Sequence, residues 1–388
     1  MLKVAIVGCG KIADDHCWQI QRIKGCEIVG VCDRELLMAR QLSERFPVKA
    51  YFNDLTQMLS EAQPDVVHVC TPPESHFSIA KKCLEAGRHV YVEKPFALCF
   101  DDARILIELA IRKGLKITAG HDDQFRNAAR RMRALVQNGY LGGGPVHMES
   151  YYCYELGGSG YARALLADKQ HWVRKLPGKL LHNVISHGIA RIAEFVTGDS
   201  PEVIAYGFTS PALRSKGESE IIDELRVIIS EREQTTAYFT FSSLMRPSLH
   251  QFRVYGPKNG LILDHDQDTL IRLRGTKFKS YLEKFGAPLV FAKEYYGNVI
   301  TNLGTFIARD FHMKSGMKYL IESFYRSITN EEPVPIPYRE ILLVARIMDS
   351  IFAQLDRSVQ VSTGEYFGFH ERAHSFQSSE ADLVPPAH

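Results

Sequence analysis

Three side chains in this sequence have the types and spacing of a proton-transfer site. Lys94 follows a short apolar run that Pro95 ends, which predicts a lysine at the end of a buried strand. Asn183 and His187 are four residues apart in a helical segment, so they share a helix face. A histidine can exchange a hydroxyl proton near neutral pH, and an ammonium can stabilise a developing alkoxide. We predict that Lys94, His187 and Asn183 form the catalytic group.

Each of these residues also has a purely structural interpretation. The alternative for Lys94 with Glu93 is a surface charge pair at a strand end, and the alternative for His187 is a hydrogen-bonded core histidine. His182 lies off the face that carries Asn183, so we interpret it as structural. No carboxylate accompanies the two histidines at ligand spacing, so no metal site is predicted. The Asn183 amide cannot act as a base, which leaves proton transfer to His187 and gives Asn183 a substrate-holding role.

A glycine pattern upstream predicts a binding site for a cofactor that could work together with this proton-transfer group. The segment Gly8-Cys9-Gly10-Lys11-Ile12-Ala13 follows a predicted strand and opens a predicted helix. The first glycine permits a tight turn, the second allows close approach of a pyrophosphate, and the alanine allows helix and strand to pack closely. The alternative is a glycine turn in a fold without a nucleotide. We favour a dinucleotide site at residues 8–13.

The residues that end the second strand bear on the choice between NAD and NADP. Asp33 follows Gly10 by 23 positions, where a carboxylate binds the ribose 2′-hydroxyl and repels a 2′-phosphate. Arg34 can stack on the adenine or accept a 2′-phosphate, so NADP stays open. Because Asp33 occupies the primary position, NAD is the predicted cofactor.

A chain of 388 residues is too long for one ordinary hydrophobic core, so we predict that two domains position these groups. Residues 1–122 alternate short apolar strands with helices, which predicts an α/β fold with a doubly wound parallel sheet. Residues 123–365 carry longer strands with partial alternation, which predicts an α+β domain with an open, mainly antiparallel sheet. A C-terminal helix is a candidate to pack back on the first domain. Residues 275–312 are predicted to be irregular with short helices, and residues 366–388 to be a loose tail.

The composition limits the partners and the compartment. A net charge of +2 gives no reason to expect nucleic acid or a membrane surface as a partner. No apolar run approaches the ~20 residues of a spanning helix. All eight cysteines lie in the first 153 residues without a Cys-x-x-Cys pair, which favours free thiols and a reducing, cytoplasmic environment.

Several short motifs together resemble the Gfo/Idh/MocA oxidoreductases. They are the glycine pattern, the run Thr71-Pro72-Pro73-x-x-His76, and Glu93-Lys94-Pro95 after Ala86-Gly87. The resemblance implies a Rossmann domain joined to an α+β domain whose open sheet forms dimer or tetramer contacts. It also implies oxidation or reduction of a secondary alcohol, usually on a sugar or cyclitol. It gives His187 and Lys94 catalytic positions, and it places Thr71, Pro72, His76, Glu93 and Lys94 beside the cofactor.

The sequence departs from the family pattern in the second domain. Asn183 stands where an aspartate is usual, and Gln124 where an arginine is common. The candidate substrate contacts are His121, Asp122, Gln124, Tyr154 and Trp172. We therefore expect an NAD(H)-dependent oxidoreductase acting on a sugar, a sugar nucleotide or a cyclitol. Two alternatives stay open: an enzyme that retains NAD for transient oxidation during elimination or glycoside cleavage, and a non-catalytic NAD- or sugar-sensing protein.

Overall fold

The computed structural model describes residues 1–153, 155, 160–231, 234–275, 280–311 and 314–364. Tyr154 and the tail at residues 366–388 lie outside the described residues, so the predictions made for them are not assessed. Within the described ranges, no helix combines the length and the apolar character needed to cross a membrane.

The first sheet is parallel throughout and has the strand order β3-β2-β1-β4-β5-β6. Its strands are Leu2–Val7 (β1), Cys26–Cys32 (β2), Tyr51–Phe52 (β3), Val66–Val69 (β4), His89–Val92 (β5) and Ile117–Ala119 (β6). Five helices accompany them: Lys11–Ile20 (α1), Leu36–Arg45 (α2), Leu55–Glu61 (α3), His76–Glu85 (α4) and Phe100–Arg112 (α5). The order reverses direction between β1 and β4, and ligands of such sheets bind at the strand ends beside this point. The predicted doubly wound sheet is confirmed.

The second sheet has seven strands in the order β13-β12-β11-β7-β10-β9-β8. Its strands are His147–Cys153 (β7), Glu202–Phe208 (β8), Glu224–Glu231 (β9), Thr235–Ser242 (β10), Leu249–Tyr255 (β11), Asn259–Asp264 (β12) and Thr269–Arg274 (β13). Only the pairing of β7 with β10 is parallel among these strands, so the mainly antiparallel sheet is also confirmed.

Helices pack against the second sheet and between the two sheets. They are Asn127–Gln137 (α6), Gly160–Ala167 (α7), Lys179–Val184 (α8), Ser186–Ala193 (α9), Pro211–Arg214 (α10), Ser280–Ile307 (α11), Ser315–Thr329 (α12) and Tyr338–Gly364 (α13). The irregular structure predicted for residues 275–312 is wrong, because α11 is one helix of 28 residues. Its internal Pro288 and scattered glycines imitate chain breaks in the sequence.

Two apolar cores lie beneath these layers. The first contains the strands of the parallel sheet together with Leu320, Ile321 and Phe324 of α12, all 0% exposed. The second lies between α9, α13 and the second sheet, and includes Ile189 and Ile351. Helix α13 contributes Ile341 to the first core, so it joins the two. The domain boundaries given above stay a prediction.

Candidate active site

The turn from β1 into α1 leaves room for a phosphate. Gly8 has φ +91°, and a Cβ there would lie 2.7 Å from the carbonyl carbon of Cys70, so only glycine fits. Gly10 is the N-cap residue of α1, and a Cβ on it would have nothing within 4 Å among the described atoms. The first helical residues, Lys11 and Ile12, therefore begin beside open space with their amides available to an anion, whereas the Ala13 amide donates to Gly10 O at 3.0 Å. The predicted glycine pattern fits a pyrophosphate.

Asp33 lies against this glycine turn. One carboxylate oxygen accepts a hydrogen bond from the Cys9 amide at 2.8 Å, and the other accepts from the Glu35 amide at 3.0 Å. The Arg34 side chain is 92% exposed and lies 3.9 Å from the Glu35 carboxylate. These contacts fix the carboxylate at the end of β2, where the ribose of a bound dinucleotide is expected, and leave Arg34 free to swing toward it.

The loop after β4 is tied to the strand end that carries the lysine. The ring nitrogens of His76 lie 2.8 Å from the carbonyl oxygens of Thr71 and Pro95. Ser75 donates a hydrogen bond to the Thr71 hydroxyl at 2.8 Å, and the turn begins at Pro72. His76 is 0% exposed, and burial lowers its pKa. The buried ring therefore holds the Thr71 loop against the Lys94-Pro95 turn.

Glu93 ends a buried chain of hydrogen bonds through the first domain. Its Oε1 lies 2.9 Å from His16 Nε2, His16 Nδ1 lies 2.8 Å from His68 Nδ1, and His68 Nε2 lies 2.9 Å from the Tyr325 hydroxyl. All three bonds form with neutral rings when Tyr325 donates to His68, His68 to His16, and His16 to Glu93. Burial works to raise the pKa of Glu93, but the hydrogen bond from His16 and the charge of Lys94 lower it to about 2. Glu93 is therefore an anion beside Lys94.

Lys94 reaches across to the second domain at a break between two helices. Its Nζ donates to the main-chain carbonyl of Asn183 at 3.1 Å. Helix α8 ends at Val184 and α9 begins at Ser186, so Asn183 lies in the last turn of α8, where carbonyls lack intrahelical partners. Burial lowers the pKa of Lys94, while the charges of Glu93 and Asp122 oppose this shift. The expectation of one helix through Asn183 and His187 is wrong, although the two residues stay close to Lys94.

His187 lies in the first turn of α9 among charged groups. Its side chain is 10% exposed, and Nδ1 lies 3.9 Å from Asp123 Oδ2. Arg191, one helical turn later, donates to the same Asp123 oxygen at 2.9 Å, and Tyr152 stacks on the imidazole with centroids 6.0 Å apart. Burial lowers the pKa of His187 to about 4, against the pull of Asp123. The imidazole is therefore neutral at pH 7 and can accept a proton.

The loop after β6 brings two of the predicted substrate contacts to the same place. His121 is 1% exposed and lies edge-on to His187 with centroids 5.9 Å apart. Neither ring nitrogen of His121 has a hydrogen-bond partner among the described residues, and burial lowers its pKa to about 3. Burial and the charge of Asp123 raise the pKa of Asp122 to about 7, while Lys314 and Lys94 act against the shift. His121 therefore lies against His187, and Asp122 lies close enough to Lys94 for their charges to interact.

Other predicted substrate contacts lie elsewhere or are not described. The Gln124 amide points to α9 and donates to Ala190 O at 3.2 Å and to Glu194 Oε2 at 3.0 Å. Trp172 begins a short 3-10 helix at residues 172–175 and stacks on His171 with centroids 5.8 Å apart. Tyr154 is outside the described residues. Gln124 thus has a packing role in the structure, and its assignment to substrate stays a prediction.

Sequence reasoning missed groups that depend on long-range contacts. Arg191 and the buried His16 and His68 were not identified, although Arg191 follows His187 by four residues and shares its helix face. The ligand atoms of Asp122, Asp123 and His187 lie within 4.8 Å of one another, which spacing alone did not predict. Because Arg191 already binds Asp123 and Lys94 is adjacent, we assign no metal to this group.

The first domain matches a known family. Residues 2–121 match the model of the Gfo/Idh/MocA oxidoreductases, described as an oxidoreductase family with an NAD-binding Rossmann fold. The glycine turn and Asp33 described above agree with that description, so the NAD prediction is confirmed. The chain is 35% identical over 142 residues to D-glucoside 3-dehydrogenase of Escherichia coli strain K12. That match covers 36% of this chain and 40% of the relative, less than half of either protein.

Solved structures share the fold across both domains. UDP-N-acetylglucosamine 3-dehydrogenase from Acidithiobacillus ferrooxidans superposes with a TM-score of 0.65 at 20% identity, covering 91% of this chain and 99% of that chain. A dehydrogenase from Bordetella pertussis, solved with NADH and UDP-GlcNAcA, superposes with a TM-score of 0.72 at 16% identity, covering 92% and 96%. At these identities the likeness shows that the two-domain architecture is shared.

Proposed function

We propose that this chain is an NAD(H)-dependent oxidoreductase, and the match of residues 2–121 to the Gfo/Idh/MocA oxidoreductase family supports the proposal. Its substrate is a secondary alcohol of a sugar, a sugar nucleotide or a cyclitol, or the corresponding ketone. The observation that carries this proposal is the contact of Lys94 with the last turn of α8, one turn before the neutral His187. A cation and a base thus face one space at the strand ends where the cofactor binds.

The residues divide the work of alcohol oxidation. His187 accepts the hydroxyl proton, since its lowered pKa keeps the ring neutral at pH 7. Lys94 donates a hydrogen bond to the hydroxyl oxygen and stabilises the negative charge that develops there. Asn183 orients the sugar, and Asp123, which is bonded to Arg191, places a negative charge 3.9 Å from His187 Nδ1. Bound NAD⁺ supplies the hydride acceptor, and the carbinol becomes a carbonyl.

Two relatives support a pyranose substrate, since their names specify oxidation at position 3 of a glucoside and of UDP-N-acetylglucosamine. We propose NAD(H) over NADP(H) because the Asp33 carboxylate is held beside the glycine turn by two amides. A 2′-phosphate placed there would be repelled by the negative charge of this carboxylate.

The open face of the second sheet supports a homo-oligomer. Ile204 and Tyr206 of β8, Ile228 of β9 and Tyr238 of β10 are 45–66% exposed and lie on neighbouring strands. A contiguous apolar area of this kind on a sheet marks a protein contact. We propose that two copies pack through this face into a dimer. We also propose that the enzyme is cytoplasmic.

The test is a substrate screen followed by one substitution. The purified chain is mixed with NAD⁺ and methyl glucosides, UDP-N-acetylglucosamine or myo-inositol, and absorbance in the reduced nicotinamide band is recorded. His187→Gln should lower turnover of the active compound by about 10²–10⁴-fold, as expected for loss of a general base. His147→Gln, on β7, is the control and should retain turnover, because its imidazole bonds to the Thr236 hydroxyl on the neighbouring strand at 2.7 Å. Full activity of the His187 variant would refute the mechanism, and no absorbance change with any compound would refute the substrate class.

A further inference from the structure

Helix α11 has its apolar face turned away from the protein. Residues 282, 285, 289, 292, 296, 299, 303 and 306 alternate at spacings of three and four and define the α11 seam: Leu282, Phe285, Leu289, Ala292, Tyr296, Val299, Leu303 and Phe306. Its seven large side chains are 49–72% exposed, and Ala292 is exposed as well. Amphipathic helices of globular proteins normally bury such a stripe against the core, whereas α11 exposes it to solvent.

Polar side chains hold α11 to the rest of the molecule. The Asn298 amide, 2% exposed, donates to Leu270 O at 2.9 Å and accepts from Leu270 N at 3.0 Å on β13. The Arg272 guanidinium binds both carboxylate oxygens of Glu294 at 2.8–3.1 Å. Asn302 donates to Gln267 O at 3.0 Å. These directional contacts fix which face of the helix points outward.

We propose that the α11 seam binds the α11 seam of a second copy of this chain, forming a helix pair. A stripe with alternating spacings of three and four, sustained over more than three heptads, is the pattern of a coiled-coil contact. Such a stripe is complementary to itself, which a two-fold symmetric contact requires. The proposal does not depend on the proposed enzymatic function.

The size of the seam suits a stable dimer. Taking a large apolar side chain as roughly 200 Å² when fully exposed, the seven large seam residues present on the order of 900 Å² per copy. Specific protein–protein interfaces bury about 800 Å² per partner. The seam alone therefore reaches the area that a stable pair needs.

The charges on α11 favour a protein partner over a lipid surface. Within Ser280–Ile307 the ionisable acids and bases are Glu283, Lys284, Lys293 and Glu294, which sum to zero. Helices that lie on anionic membranes carry an excess of lysine and arginine on the polar face. The α11 seam is also separate from the apolar area on β8–β10, because β13 and β8 are opposite edges of the sheet. Two such contacts in one chain would join dimers into a tetramer.

The test compares the mass of the full chain with that of matched variants by sedimentation equilibrium. Leu289→Glu with Val299→Glu places charges at positions that are 72% and 60% exposed. It should raise the dissociation constant on the order of 100-fold or more and halve the particle mass. The control, Leu37→Glu with Ile111→Glu, alters residues of α2 and α5 that are 64% and 60% exposed and should keep the wild-type mass.

Folding and lipid binding are checked on the same samples. Both variants should retain NADH affinity and the wild-type circular dichroism, since all four side chains are exposed. If the glutamate pair fails this check, Leu289→Ser with Val299→Ser replaces it. A monomeric wild type, or an α11 variant with unchanged mass, would overturn the proposal. So would binding of the wild-type chain to phosphatidylcholine–phosphatidylglycerol vesicles with loss of its self-association.

Discussion

The Lys94 ammonium is bonded to the main-chain carbonyl of Asn183 at 3.1 Å, across the space between the two domains. The carbonyl is in the last turn of α8, where the helix dipole places partial negative charge. One bond therefore positions the lysine from the first domain against the helix break that precedes His187. An incoming hydroxyl oxygen can accept a hydrogen bond from a second N–H of the same ammonium without displacing that carbonyl.

Removal of Lys94 should reduce turnover without weakening the cofactor. Lys94→Ala deletes one donor to the developing alkoxide, so kcat should fall by about 10²–10³-fold. The Kd for NADH should stay within about threefold, because the glycine turn and Asp33 are untouched. Steady-state kinetics and NADH titration test both numbers. Lys81→Ala, on the exposed side of α4, is the control and should match wild type. Equal kcat values for the two variants would remove Lys94 from the mechanism.

The adjacent carboxyls of Asp122 and Asp123 should have opposite effects on stability. Asp122, with its pKa raised to about 7, is protonated in the folded chain but ionised in the unfolded chain between pH 4 and 7, so it costs stability as pH rises through that window. Asp122→Asn should therefore raise the free energy of unfolding by about 2–3 kcal/mol more at pH 8 than at pH 5, at about 1.4 kcal/mol per unit of pKa. Thermal unfolding at both pH values measures this difference.

Asp123→Asn is the matched comparison at the next position. Burial works to raise the pKa of Asp123, but His187 and Arg191 outweigh it and hold the pKa well below its usual range. The carboxylate therefore adds stability that is present above pH 4 and lost only in stronger acid. The substitution leaves the buried Arg191 unpaired with this carboxylate and should cost about 3 kcal/mol at pH 5. The cost should be smaller at pH 8, because loss of the Asp123 charge also lowers the raised pKa of Asp122. A loss that is larger at pH 8 than at pH 5, or a pH-independent gain for Asp122→Asn, would contradict this account.

Neutralising Asp33 should shift the preference between the two cofactors. Asp33→Asn keeps an oxygen that can accept from the Cys9 amide and removes the charge that repels a 2′-phosphate. The ratio of NADP(H) to NAD(H) affinity should rise on the order of tenfold, which corresponds to about 1.4 kcal/mol. Calorimetric titration with each cofactor measures the ratio. Arg34→Ala is the comparison, and it should leave the ratio unchanged or lower it. Tighter binding of NADP(H) by the wild-type chain would reverse the assignment.

The parts of the site that the sequence predicts are those set by local physics. The turn after β1 has no room for a Cβ at Gly8 and leaves open space for an anion at Gly10. Strand β5 likewise has the bounds expected from its apolar run. The contact between Asp123 and Arg191 joins residues 68 positions apart, so no local pattern indicates it. The break after Val184 is hidden because Ile185 keeps helical dihedrals. Sequence periodicity cannot distinguish two helices separated by such a break from one continuous helix.

Helix α11 shows a different limit of sequence interpretation. Pro288 and several glycines within it predict breaks, yet the backbone continues for 28 residues. Its apolar stripe has the spacing of a helix that faces a core, so the sequence alone does not indicate that the stripe points outward. Only the placement of Asn298 against β13 reveals that the stripe points outward.

The hydrogen-bond chain behind Glu93 should contribute measurably to stability. Tyr325→Phe removes the hydroxyl that donates to His68 and leaves a buried ring nitrogen without its donor, which costs about 1–3 kcal/mol. The His68 ring stays stacked on Tyr91 at 4.6 Å, so the loss should come from the hydrogen bond and leave the packing intact.

Burial holds the pKa of His68 well below its usual range, so the folded ring is neutral while the unfolded one protonates below pH 6.5. Wild-type stability should therefore fall as pH drops below 6.5. Thermal unfolding at pH 7.5 compares Tyr325→Phe with Tyr51→Phe, whose side chain on β3 is 43% exposed and whose unfolding temperature should match wild type. Equal unfolding temperatures for the two variants would show that the Tyr325–His68 bond contributes nothing to the folded state.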